Sequence, residues 1–142
     1  MHSARLSRLR AILAENRLDG LLVPRADEHL GEYVPANAER LAWLTGFTGS
    51  AGLAVVVADH AAVFTDGRYV LKLAAQTDPD LWQRRHFTEE PAPAWLAEPA
   101  PGRRIGYDPL LFSEEALTRY TEAGVALVAT EGNLVDAAWT DR

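Results

Sequence analysis

The chain contains no cysteine, which excludes disulfide frameworks, thiolate metal sites and cysteine nucleophiles together. Long apolar runs are missing too. The longest, Leu53 to Ala58, falls far short of the roughly 20 residues that a membrane-spanning helix needs. The N-terminal stretch Met1 to Arg10 carries three arginines and no apolar run of signal-peptide length. Positive charge is scarce: fourteen Lys and Arg face twenty Asp and Glu, for a net charge of −6. A general nucleic-acid binder needs a basic face to displace counterions from phosphates. These absences set the expectation of a cytoplasmic protein with neither nucleic acid nor membrane as partner.

What remains is the composition of an ordinary globular domain. The 142 residues are 48% hydrophobic and 24% charged. That length suits one domain of about 100–200 residues, able to bury roughly 68–70% of the surface its unfolded chain exposes.

Leu6, Leu9, Ile12 and Leu13 recur at three- and four-residue spacing, which predicts an amphipathic helix over Ser3 to Asn16. Asp19-Gly20 ends it, and Leu21-Leu22-Val23 before Pro24 reads as a short buried strand. Arg25 to Pro35 is polar and irregular. A second helix is expected over Ala38 to Leu44, with Asn37 as its cap. After the glycine-rich stretch Gly46 to Gly52, the runs Leu53 to Val57 and Ala61 to Thr65 form an antiparallel hairpin around Asp59-His60.

Asp66-Gly67 turns the chain, and Arg68 to Gln76 returns to helical spacing, followed by a strand within Leu81 to Phe87. Prolines at 91, 93, 99 and 101 mark Pro91 to Gly102 as a surface connection with room for one helical turn at Trp95. Arg104 to Tyr107 is a short strand. Ser113 caps a helix that runs to about Ala123 and stops at Gly124. Val125 to Ala129 is a last strand, and Glu131 to Arg142 reads as an exit segment rather than core. Alternating helices and strands with one hairpin give an α/β fold with a mixed sheet.

Few residues offer chemistry. Gly46-x-x-Gly49-x-x-Gly52 precedes a strand, whereas phosphate-cradling loops follow a strand and open a helix. Its glycines read instead as places of close backbone approach. Asp27, Glu28, His29 and Glu32 lie close in sequence, but no further histidine or carboxylate cluster joins them, and His60 and His86 are isolated. Ser50 has no nucleophile-elbow motif around it. In Thr65-Asp66-Gly67-Arg68-Tyr69 a strand ends, the chain turns sharply, and an arginine projects from the junction. Its planar fork suits a carboxylate or peptide carbonyl, and it equally suits Asp66. The residues alone leave both readings open.

Taken in order, the motifs resemble a known family. Pro24-x-x-Asp27-x-His29-x-x-Glu32-Tyr33 precedes Arg40-x-x-Trp43-x-x-Gly46-Phe47-Thr48-Gly49-Ser50-Ala51-Gly52. Phe64-Thr-Asp-Gly-Arg-Tyr69 follows the hairpin. Gly106-Tyr107-Asp108-Pro109 and Asn133-Leu134-Val135-Asp136-x-x-Trp139-x-x-Arg142 close the series. Together they look like the N-terminal domain of the three-domain, cytosolic type of Xaa-Pro aminopeptidase, within the creatinase and prolidase N-terminal group. Phe64 stands where that family commonly has tryptophan, and Arg25 and Leu30 where smaller or polar residues are frequent.

The resemblance implies a mixed, twisted sheet flanked by helices, of the ribonuclease H-like kind. It implies a parent metallopeptidase that removes an N-terminal residue preceding proline, using two divalent metal ions, usually manganese. Those metals and the catalytic residues belong to a later domain, so no catalytic or metal-binding residue and no cofactor is expected in this chain, and the fragment alone should be inactive. Residues 1–132 would be the domain and 133–142 the exit towards a second one. Arg68 matches a family arginine that reaches the substrate cleft, with Asp66, Tyr69 and His29 as weaker candidates. The implied partners are a proline-containing peptide, the further domains and a second copy in a full-length homodimer. A creatinase or prolidase relative acting on a different C–N bond, and a stand-alone binding module, are the alternatives.

Overall fold

Leu53–Val57 (β2) and Ala61–Thr65 (β3) are buried at every position. Successive strand side chains point to opposite faces, so a hairpin of this kind cannot leave either face in water. The computed structural model, which describes residues 2–26, 34–97 and 103–140, shows what covers them. β2 and β3 pair antiparallel, from Leu53 opposite Phe64 to Val56 opposite Ala61. Gly20–Pro24 (β1) lies antiparallel to β2 on its other side. Gln83–His86 (β4) runs parallel to β3, Arg104–Tyr107 (β5) parallel to β1, and Ala126–Ala129 (β6) parallel to β5. The result is one mixed sheet of six strands in the order β4-β3-β2-β1-β5-β6.

The two cores divide residue by residue. Leu21, Val23, Ala54, Val56, Ala61 and Val63 face helices His2–Glu15 (α1), Arg40–Thr45 (α2) and Val70–Gln76 (α3). Leu22, Val55, Val57, Ala62, Phe64 and Ile105 face Ala92–Ala97 (α4) and Glu114–Glu122 (α5). The α/β class, the hairpin limits and the Arg104–Tyr107 strand match the sequence reading, as does Ser113, whose side chain accepts from the Ala116 N–H.

Two expectations need correction. The N-cap of α2 does not fall at position 37. A 3-10 turn occupies Ala36–Ala38, α2 begins at Arg40, and its N-cap is Glu39, which makes no side-chain cap bond. The Glu39 carboxylate is instead engaged by Arg25 at 3.2 Å.

The segment after Glu131 is also not outside the core. Leu134–Ala138 forms a short helix (α6), and Leu134 and Val135 join the α1 side of the core. Asn133 starts it by accepting from the Val135 N–H and donating to Asp108 Oδ2 at 3.0 Å. Arg40, only 7% exposed, donates from Nε and Nη2 to Asp136 at 2.7 and 3.1 Å. Trp43 stacks on Trp139 at 5.6 Å, and the Arg5 guanidinium covers Trp43 at 4.7 Å. A buried arginine needs its charge paired in good geometry, so this bidentate pair fixes α6 on α2.

If α6 is core, Leu134→Ala leaves a cavity and lowers stability by about 2–5 kcal/mol. Urea melts followed by far-UV signal and tryptophan fluorescence should show that loss within one coincident transition. An unchanged midpoint would place α6 outside the cooperative unit.

The clamped Thr65–Tyr69 turn as candidate functional site

The hairpin register places the start of β2 beside the end of β3. The glycine stretch that enters β2 therefore meets the turn that leaves β3. The Thr65 hydroxyl donates to the Ala51 carbonyl at 2.6 Å, joining them directly. Phe47, fully buried, is the plug around which the stretch winds. A Cβ on Gly49 would lie 2.3 Å from Phe47 Cζ, so only glycine closes the loop there. Gly46 adopts φ 89 at the end of α2, with the Gln76 carbonyl 2.7 Å from where its Cβ would be. Thr48 then exchanges bonds with Gln76: its N–H donates to Oε1 at 2.9 Å, and Gln76 Nε2 donates to Thr48 Oγ1 at 2.9 Å. The loop is thus tied to the end of α3 and folded on an aromatic ring. The N–H groups of Gly46, Phe47 and Thr48 are already spent on the Ala42 carbonyl, Thr45 Oγ1 and Gln76 Oε1.

The turn itself is a 3-10 turn over Gly67–Tyr69 capped by Asp66. The Asp66 carboxylate accepts from the Arg68 N–H at 2.9 Å, and from Arg68 Nε at 3.2 and 3.3 Å and Nη2 at 2.8 Å. The hydrogen bonds from Arg68 hold the Asp66 carboxyl below the usual carboxylate range, with the nearby charges of Arg68 and His86 adding to the effect. Arg68 still has 71% of its side chain exposed. Asp66 occupies the guanidinium edge made by Nε and Nη2. The end-on edge, built from the outward N–H groups of Nη1 and Nη2, has no partner among the described residues. The two readings of Arg68 are therefore compatible: one edge pairs internally while the other stays open for an oxygen ligand.

Tyr69 lies beneath this fork. The Arg68 guanidinium carbon is 5.1 Å from its ring centroid, and its ring meets Phe47 edge-on at 6.3 Å. Its hydroxyl hydrogen-bonds Ser50 Oγ. Asp66, Arg68 and Tyr69 are thus brought together. Asp27, His29 and Glu32 lie outside the described residues. His60 pairs with Asp59 at 2.8 Å, and His86 Nδ1 bonds the Thr88 hydroxyl at 2.8 Å. Among the described residues no three His, Asp or Glu side chains are grouped to hold a metal ion. The sequence reading missed the Ser50–Tyr69 and Thr48–Gln76 contacts. They span 19 and 28 residues and follow no local pattern.

Because the folded-state pKa of Asp66 is depressed, the pair favours folding above the ordinary carboxylate pKa and loses that contribution as pH falls through the lowered value. Carboxyl NMR titration should find the Asp66 midpoint below 3.8, and Arg68→Ala should raise it. A midpoint unmoved by Arg68→Ala would mean the fork does not persist in solution.

Comparison with known proteins gives this geometry a context. Xaa-Pro aminopeptidase 2 of Rattus norvegicus is 38% identical over 140 residues, which is 95% of this chain and 21% of that protein. Aminopeptidase P1 of Lotus japonicus is 41% identical over 145 residues, covering 96% of this chain and 22% of that protein. The chain spans about a fifth of the length of these curated relatives. Among solved structures, the X-prolyl aminopeptidase of Caenorhabditis elegans, described as a cytosolic enzyme with a di-nuclear active site, superposes with a TM-score of 0.89 at 31% identity. It aligns with 100% of this chain and 26% of its own. The N-terminal domain of the cytoplasmic peptidase PepQ from Mycobacterium tuberculosis gives a TM-score of 0.71 at 28% identity, over 95% of this chain and 98% of that one. Residues 5–138 match the creatinase/prolidase N-terminal domain, and the chain, with its six-stranded mixed sheet between helices, belongs to that family.

Proposed function

We propose that this chain is the noncatalytic N-terminal domain of an Xaa-Pro aminopeptidase, and that Arg68 offers its open edge to the peptide substrate. Similarity to Xaa-Pro aminopeptidases along almost the whole chain supports the first part. One observation carries the second: Arg68 is held side-on by Asp66, on a turn clamped by the glycine loop, with its end-on edge exposed. A carboxylate or carbonyl of a proline-containing peptide matches that edge. In this reading Asp66 orients the arginine, and His29 is a further candidate for the same cleft.

The chemistry itself would be supplied elsewhere. The described residues provide no convergent set of metal donors, so the two divalent ions, manganese in this proposal, would be bound by a catalytic domain that this chain does not contain. Residues 133–142 would lead towards a second domain, with α6 docked on the first. A cytoplasmic location and a homodimer of the longer protein complete the reading. The C. elegans relative, a cytosolic enzyme, supports the location.

Two experiments test it. The 142-residue chain with manganese and a Gly-Pro-type peptide should show no hydrolysis above blank, and calorimetry should show no stoichiometric metal binding; either signal would overturn the division of labour. In the protein joined to its catalytic domain, Arg68→Ala should lower kcat/KM roughly ten- to hundredfold, as expected for a charge-assisted hydrogen bond lost from a desolvated complex. Arg68→Lys should restore only part, because an ammonium lacks the planar fork. Unchanged kcat/KM in the Ala variant would make Arg68 a structural residue.

A further inference from the structure

Ser50 has no place in the reading above, and the glycine loop enters it only as a clamp on the turn through Thr65. Its contacts converge on Tyr69. Phe47, buried inside the loop, presents its ring to the edge of Tyr69 at 6.3 Å and 77°. Ser50, at the loop's exposed crest, hydrogen-bonds the Tyr69 hydroxyl. The ring held in this way is the one that seats the Arg68 guanidinium at 5.1 Å.

We propose that Ser50 and Tyr69 are positioning residues for Arg68, the loop holding the tyrosine ring as a platform that keeps the guanidinium's open edge aimed outward. This rests on the ligand role of Arg68 proposed above for its purpose, though not for its physics.

The argument is one of constraint. Asp66 lies only two residues from Arg68 and holds one edge of the fork. An exposed ion pair between neighbouring residues is weak and leaves a long side chain free to swing. A second restraint on the face of the guanidinium removes that freedom, since a cation over an aromatic face is attracted to the ring quadrupole. The platform works only if the ring itself cannot turn away. Phe47 limits the ring on one side, and the Ser50 hydroxyl anchors its far end. The loop is in turn fixed at three points: Thr65 on the Ala51 carbonyl, Gln76 on Thr48, and Gly49 against Phe47. Restraint therefore passes from the hairpin and α3, through the loop and Tyr69, to Arg68. Preorganising a side chain in its binding pose cuts the entropy that a ligand must otherwise supply.

The test needs no peptidase and is therefore separable from the kinetic test of Arg68. In the 15N-labelled 142-residue chain, solvent exchange of the Arg68 Nε–Hε proton reports how long the fork stays closed. Tyr69→Phe removes only the hydroxyl and keeps the contact with Phe47, while Ser50 is exposed, so Ser50→Ala leaves the core intact. Each variant should speed Arg68 Hε exchange about two- to tenfold, the factor one side-chain hydrogen bond supplies. The double variant should be no faster than either single one, because both remove the same contact. Amides of β2 and β3 should exchange as in the wild type, which separates positioning from general loosening. Unchanged Arg68 exchange in both single variants, or additive acceleration in the double, would overturn the proposal.

Discussion

The burial of β2 and β3 on both faces governs the rest of the molecule. Ten buried strand positions, five in each strand, require helices above and below, and the chain supplies α1, α2, α3 and α6 on one side and α4 and α5 on the other. The same hairpin fixes where the polar cluster around Arg68 lies. Its open end brings the residues before Leu53 against those after Phe64, so the glycine loop and the Thr65–Tyr69 turn become neighbours through register alone. At its closed end the Val57 N–H donates to the His60 carbonyl, Arg10 donates to the Val57 carbonyl, and His60 pairs with Asp59 and packs against Trp95. The polar cluster around Arg68 is thus a consequence of strand pairing, with side chains added to a corner that the core had already made rigid.

The motifs that mark the family divide into two kinds of work. Arg40-x-x-Trp43 and Asp136-x-x-Trp139 place an ion pair and a stacked indole pair on facing short helices, and Asp108 receives Asn133 at the start of α6. These residues hold the chain's final helix to its second one. Thr65-Asp66-Gly67-Arg68-Tyr69 is different, because its charged group is exposed and only partly engaged. Its one solvent-exposed guanidinium edge, in an otherwise clamped turn, sets it apart from the buried Arg40–Asp136 pair.

Much of this was legible in the sequence, for identifiable reasons. Strand limits at Leu53–Val57, Ala61–Thr65 and Arg104–Tyr107 coincide with uninterrupted apolar or alternating runs bounded by turn residues. Ser113 followed by two glutamates announces a helix start through its cap. The failures occur where a tertiary partner outweighs local preference. Asn37 is a good cap by type, yet Glu39 sets the start of α2 while paired with Arg25. α6 is five residues long, too short for periodicity to reveal, and depends on Arg40, 96 residues away from Asp136. At the site, Asp66 and Arg68 could be read as a local pair, but their sharing of one edge, with the other left open, could not.

The central claim is that Arg68 pairs with Asp66 and receives a peptide oxygen at the same time. A crystal structure of the protein together with its catalytic domain and a bound, uncleaved proline-containing peptide measures this directly. The account predicts the Asp66 fork intact, the Tyr69 ring still beneath it, and a peptide oxygen about 2.7–3.2 Å from Arg68 Nη1 or Nη2. A peptide bound with the guanidinium turned away, or an Asp66 fork that must open to admit it, would contradict the claim.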